Sequence, residues 1–273
     1  MTDAETVISV LNPSTVMTDD EVAAMLPAMQ QQVDRDFSAA WNIDADLEFV
    51  AGDQAPIPGS WWISVLDDSD QAGALGYHDV TDEGLPLGKV FAGTDKAFGL
   101  QVSVTFSHEL LEILADPEIN RCVFLQRDDG SGVLVAYESC DAVEADELGY
   151  EIDGVLVSDF VTPRWFMPGF PGPFDFKEHT TGPVQLLKGG YISIYEIGKG
   201  QGWQQVTADA TTDLLQQTAP VAGSAARAIA RPKPGSRRER RRTPRSQWER
   251  STVRFAGPIA KRRAPTRAER LGR

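Results

Sequence analysis

The segment Ser107-His108-Glu109-Leu110-Leu111-Glu112-Ile113-Leu114-Ala115-Asp116-Pro117 carries the residue types that do chemistry. His108 and Glu112 are four apart, so on a helix they share a face and one metal ion can reach both. Glu109 stands about 100° round the helix, where the corresponding Glu of an H-E-x-x-H site acts as general base on water. Here the second ligand is Glu112, giving H-E-x-x-E. A carboxylate can ligate zinc, but its negative charge makes the metal a weaker Lewis acid. A solvated helix face would also supply Glu109 and Glu112. That reading weakens because the surrounding residues are apolar on most faces, and ionisable groups in a buried helix need partners.

A third protein ligand must come from elsewhere. Asp116 lies about 12 Å along a continued helix axis from His108, too far unless the chain turns back at Pro117. The richer source is Tyr137-Glu138-Ser139-Cys140-Asp141, which follows a hairpin that could fold back onto the helix. Glu138 ranks first and Asp141 second. The alternative for each is an acidic loop facing water.

The elements that must position these residues are short. Thr18-Asp19-Asp20-Glu21 is a capping box, followed by one helical face of Val22, Met25, Leu26, Met29, Val33, Phe37 and Trp41. Pro27 should kink or divide that helix. Strand-like runs follow at Leu47–Val50, Trp61–Leu66, Ala74–Val80 and Lys89–Ala92. A buried helix is expected from Val104, stopped by Asp116-Pro117. Arg121–Gln126 and Val133–Glu138 read as a hairpin, with further strands at Gly154–Phe160 and Gly190–Ile197. The predicted class is α+β with a loop-rich second half.

These residues, in this order, resemble the zincin metallopeptidase superfamily, and more narrowly a zincin-like group of bacteria and their phages. The resemblance runs over Ala74 to Asp79, Ser107 to Pro117, Tyr137 to Glu144, Val157 to Trp165 and Gly189-Gly190-Tyr191. It implies a mixed sheet packed on a metal-site helix, a Zn2+ cofactor, and a metal-activated water attacking a peptide carbonyl. His108 and Glu112 would be ligands and Glu109 the base. An edge strand at Ala74 to Asp79 would pair with an extended peptide or protein substrate. His78 and Tyr191 are candidates for stabilising the oxyanion, and His78 otherwise reads as an ordinary strand histidine. Met167, near Pro168-Gly169, reads as a packing residue. Departure from H-E-x-x-H keeps a rival open: a non-catalytic, metal-stabilised structural or phage-particle protein.

Charge divides the chain. Up to Pro220 there are 9 Lys and Arg against 37 Asp and Glu, a balance of −28; from Val221 onward 17 face 3, a balance of +14. The expected organisation is a body at 1–205 and a disordered Arg/Pro-rich tail at 206–273. Such a tail suits nucleic acid or an acidic partner, including the body itself. A composition 41% hydrophobic can bury a core, while no run reaches the roughly 18 apolar residues of a membrane span. Met1 to Glu5 lacks a basic n-region, so a cytoplasmic or phage-virion location is expected. Two cysteines exclude a disulfide scaffold. Cys122 and Cys140 could be cross-strand neighbours, with free thiols as the default. The acidic turn Asp67 to Gly73 lacks the glycine and glutamate of a calcium loop.

Overall fold

The computed structural model describes residues 6–214, apart from 53, 71–73 and 128, together with the backbone strand 226–229. The basic tail, and the nucleic-acid contact expected of it, therefore lie almost wholly outside the described residues. No helix among the described residues is long and apolar enough to cross a membrane.

The class is α+β. Five strands form the first sheet: β1 (Val7–Leu11), β2 (Asp46–Val50), β3 (Trp61–Leu66), β4 (Gly76–Val80) and β5 (Pro86–Phe91). Their order is β2-β1-β3-β5-β4. Every pairing is parallel except the last, where β4 runs antiparallel to β5 at the sheet's end. A central parallel strand is buried on both faces, and β1 accordingly reads as an apolar run, with Ile8 and Val10 fully enclosed.

Helix α1 (Asp19–Gln31) opens on the capping box. The Glu21 amide donates to the Thr18 hydroxyl at 3.2 Å, and the Thr18 amide donates to the Glu21 carboxylate at 2.7 Å. Pro27 neither ends nor divides this helix. The irregularity falls later, as a π-turn at Gln32–Phe37 leading into α2 (Ser38–Trp41). Val33, Phe37 and Trp41 all stay buried through it. Phe37 stacks on Trp41 at 5.3 Å and meets the edge of Phe160 at 5.2 Å, so this corner is an aromatic lock between the two halves of the chain.

After α3 (Ala92–Phe98) comes α4 (Val102–Ala115), whose 14 residues are all buried. It lies against β5 and β4 and against the later strand Val155–Val157. The helix begins two residues before the expected start at Val104. It ends where expected, with Asp116 leaving the helical region ahead of Pro117.

The second half is mostly sheet. Strands β6 (Cys122–Gln126) and β7 (Gly132–Ala136) form the expected hairpin. The segment Gly154–Phe160 is not one strand. Strands β8 (Tyr150–Ile152) and β9 (Val155–Val157) make a hairpin around Asp153 and Gly154, both at positive φ (49° and 81°). That two-residue Asp-Gly turn matches the right-handed twist of the flanking strands. Strands β10 (Gln185–Leu186), β11 (Tyr191–Glu196), β12 (Trp203–Ala208), β13 (Thr212–Asp213) and β14 (Ala226–Ile229) complete the fold. The second sheet runs β14-β12-β11-β7-β6. Strand β12 crosses the boundary expected at 205, and β14 pairs with it from within the segment assigned to the tail.

Candidate metal centre

Three elements converge on α4. The first is β4. Residues opposite one another in an antiparallel pair share a face, and His78 opposes Gly88 while Gly76 opposes Val90. Gly76, His78 and Gly88 therefore lie on one face of the sheet. Gly76 leaves room for Glu109: a Cβ there would lie 2.5 Å from its Oε1, whereas one on Gly88 would first meet Ile63 at 3.2 Å and touch Glu109 Cβ at an ordinary 3.5 Å. The second element is the loop after β7, which carries Glu138 and a 3-10 turn at Asp141–Val143. The Cys140 amide in this loop donates to Glu112 Oε1 at 3.1 Å, which fixes that carboxylate. The third is the start of β11. Gly190 has no Cβ to strike the Ala142 carbonyl, so the 3-10 turn lies against it and Tyr191 follows beside Asp141.

His78, His108, Glu109, Glu112, Glu138, Asp141 and Tyr191 are all fully buried. His108 Nε2 lies 3.3 Å from Glu112 Oε2 and 3.2 Å from Asp141 Oδ1. His78 sits 3.5 Å from Glu112 Oε2 through Nδ1 and 3.4 Å from Glu138 Oε2 through Nε2. Glu109 Oε2 is 3.8 Å from His78 Nδ1. Both ring nitrogens of His78 and His108, both oxygens of Glu109 and Asp141, Glu112 Oε2 and the Tyr191 hydroxyl have no hydrogen-bond partner among the described residues. Groups this polar are not buried unpaired, because each costs about 1–3 kcal/mol or more.

The spacing fits a metal. Ligands about 2.0–2.2 Å from a tetrahedral zinc stand roughly 3.3–3.6 Å from one another. The His108–Glu112 and His108–Asp141 distances, both from Nε2, match that edge length, while His78 meets Glu112 and Glu138 through opposite ring nitrogens. Two triads result, His108–Glu112–Asp141 and His78–Glu112–Glu138, and they share Glu112. Asp141, ranked second from sequence, is the carboxylate grouped with His108 and Glu112, while Glu138 is grouped with His78 and Glu112. In the metal-free state burial pushes Glu109 up to about 7, against the lowering influence of His78 and His108. Burial would raise Glu112 too, but the nearby His108 and His78 outweigh it and hold Glu112 below the usual range. Burial and the neighbouring Glu112 push Asp141 well up. Burial works against protonation of both histidines, yet the carboxylates around them raise them well above their ordinary value.

Compared with known proteins, the chain matches no family model, no curated protein and no solved structure. The site therefore rests on its own geometry.

Of the other residues singled out in the sequence, His78 joins the centre and the rest lie apart from it. His78 is not an ordinary strand histidine, since its ring stands among the carboxylates of the centre. Met167 is exposed rather than packed. Cys122 pairs with Ala136, not with Cys140; it is exposed while Cys140 is buried, and both are free. The hairpin register is four residues off the one that would have joined them. A third cluster, Asp159–Asp175–His179, escaped the sequence reading. Its carboxylates are already engaged. Asp159 Oδ1 accepts from the Phe160 and Lys177 amides at 2.8 and 3.2 Å, Asp175 Oδ1 accepts from the Thr180 amide at 2.7 Å and from its hydroxyl, and Asp159 Oδ2 lies 3.0 Å from His179 Nδ1. This cluster ties loops together without calling for an ion.

Proposed function

We propose that this chain is a metal-dependent peptide hydrolase of zincin type, with His108, Glu112 and Asp141 holding zinc and Glu109 as general base. What supports it most is the set of buried unpaired atoms at tetrahedral spacing around a helix that also carries Glu109. A zinc ion held there would supply Lewis acidity, acidifying water and polarising a peptide carbonyl. The chain's own residues do the rest. Glu109, pressed against Gly76, takes the proton of the attacking water and returns it to the departing amine. A carboxyl near 7 can both accept and release a proton around neutral pH. The Tyr191 hydroxyl, beside Asp141, is the donor available to a developing oxyanion. Strand β4 ends its sheet, but Gly76, Tyr77, His78 and Asp79 are buried, so an extended substrate could pair there only once that edge is uncovered. His78 faces carboxylates instead of a substrate position, which removes it from the oxyanion role.

Complete burial favours a second reading, in which the ion only joins the first sheet to the loop after β7. Glu109→Gln separates the two. The hydrolase reading expects peptide turnover to fall by about 10²–10⁴-fold with metal content unchanged. Turnover unchanged by this substitution would refute Glu109 as base and leave the structural reading.

A further inference from the structure

We infer that the centre takes two divalent cations, with Glu112 as the shared ligand and His78–Glu112–Glu138 as the second site. The inference goes beyond the hydrolase reading, which needs one ion. Three observations carry it. His78 is fully buried and neither ring nitrogen has a hydrogen-bond partner among the described residues, so the ring is aimed at something else. The ligand atoms of its triad lie within 4.8 Å of one another, as do those of the His108 triad, and the two groups meet only at Glu112. Glu112 Oε2 stands 3.5 Å from His78 and 3.3 Å from His108, while its other oxygen is held by the Cys140 amide.

Four carboxylates, Glu109, Glu112, Glu138 and Asp141, are enclosed together beside His78 and His108, a concentration of anionic oxygen donors that suits divalent cations. A carboxylate bridge between ions about 3.5–4 Å apart is the usual form of a two-metal hydrolytic site. The carboxylate-rich ligand set suits manganese as well as zinc.

The test uses the full chain in a Cys122→Ser, His179→Gln background, which removes the exposed thiol and the surface imidazole as rival ligands. The protein is stripped with chelator, loaded with zinc, desalted and analysed for metal. Two zinc ions per chain are expected, falling to one in His78→Gln and to one in Glu138→Gln, with folding checked by circular dichroism. Loading with manganese should give a spin-coupled pair signal that both substitutions convert to that of an isolated ion. A single ion, kept in His78→Gln and lost in His108→Gln, would overturn the second site and leave the hydrolase reading standing. No retained ion in any chain would remove both.

Discussion

Replacing Gly76 by alanine tests how Glu109 is seated. A Cβ at this position would stand 2.5 Å from Glu109 Oε1 and 2.9 Å from its Cδ and Cγ. Ordinary carbon contacts begin near 3.5 Å, so the overlap is roughly 0.6–1 Å. Glu109 is fully buried, so the side chain has little room to yield. Overpacking of this kind costs about 1–3 kcal/mol. The three nearest atoms all belong to Glu109, which makes the cost conditional on that side chain. In a Glu109→Ala background the same methyl should cost almost nothing, giving a coupling of about 1–3 kcal/mol. Glu109→Gln keeps the shape and should keep the full cost, which separates steric conflict from charge.

Urea unfolding of the wild type, the three single variants and the two doubles, in excess chelator, reads this directly. Chelator matters because any change in metal affinity would otherwise enter the midpoint. Equal slopes with shifted midpoints would show that stability alone has changed. If Gly76→Ala costs the same with and without the Glu109 side chain, within about 0.5 kcal/mol, the proposed seating is wrong. The functional corollary follows under the hydrolase reading. A base displaced by roughly 0.6–1 Å should lower turnover about 100-fold while bound metal is retained.

Two further outcomes concern stability. Burial, and then the adjoining Asp175, push Asp159 from 3.8 up to about 9. The folded chain thus holds a proton that the unfolded chain has released. Its contribution is fully present below about pH 4 and is lost as pH rises toward 9. Urea midpoints should fall between pH 5 and pH 8 in the wild type and fall less in Asp159→Asn; parallel slopes would assign the proton elsewhere. Thr18→Ala should cost about 1 kcal/mol in thermal or urea unfolding. It deletes the hydroxyl that accepts from the Glu21 amide but leaves the Glu21 carboxylate bound to the backbone at 18. A cost near zero would mean the cap contributes nothing at this exposed end.

Local signals in the sequence were read where one residue type decides the outcome. The Thr18–Glu21 box, the Pro117 stop and the His108/Glu112 pair each act within a single turn, so spacing suffices. What escaped depends on register or on partners far along the chain. Strand β1 is an unalternating apolar run with no period to announce it, yet it lies in the middle of the first sheet. Asp153-Gly154 is a strong hairpin signal, but the strand expected from Gly154 onward starts inside that turn. Ranking Glu138 above Asp141 could not be settled by spacing, because the 3-10 turn that redirects Asp141 is set by contact with Gly190, some 50 residues on. Gly76 was visible only as one glycine among many. Packing β4 against α4 turns it into the recess for Glu109.

The site and the core cannot be separated energetically. Helix α4 buries Phe106, Leu110, Leu111, Ile113 and Leu114, each stabilising by roughly 1.5–3 kcal/mol. The same helix buries His108, Glu109 and Glu112 on the turns between them, and any one left unpaired offsets an apolar neighbour. Sheet, helix and hairpin loop can therefore pack to completion only if the charges between them are neutralised. Without metal, the rise of Glu109 and Asp141 accomplishes part of this by keeping protons on the carboxylates. Under the metal reading, an ion would displace those protons, so binding and the final closure of the core would be one equilibrium, tighter as pH rises. On that reading, an ion would enter a form in which the loop carrying Glu138 and Asp141 has lifted from α4. Its population should be highest in the metal-free protein and fall as ions bind. Amide exchange across Tyr137–Val143, measured with and without zinc, would detect this, and equal protection in the two states would show that the loop closes without the metal.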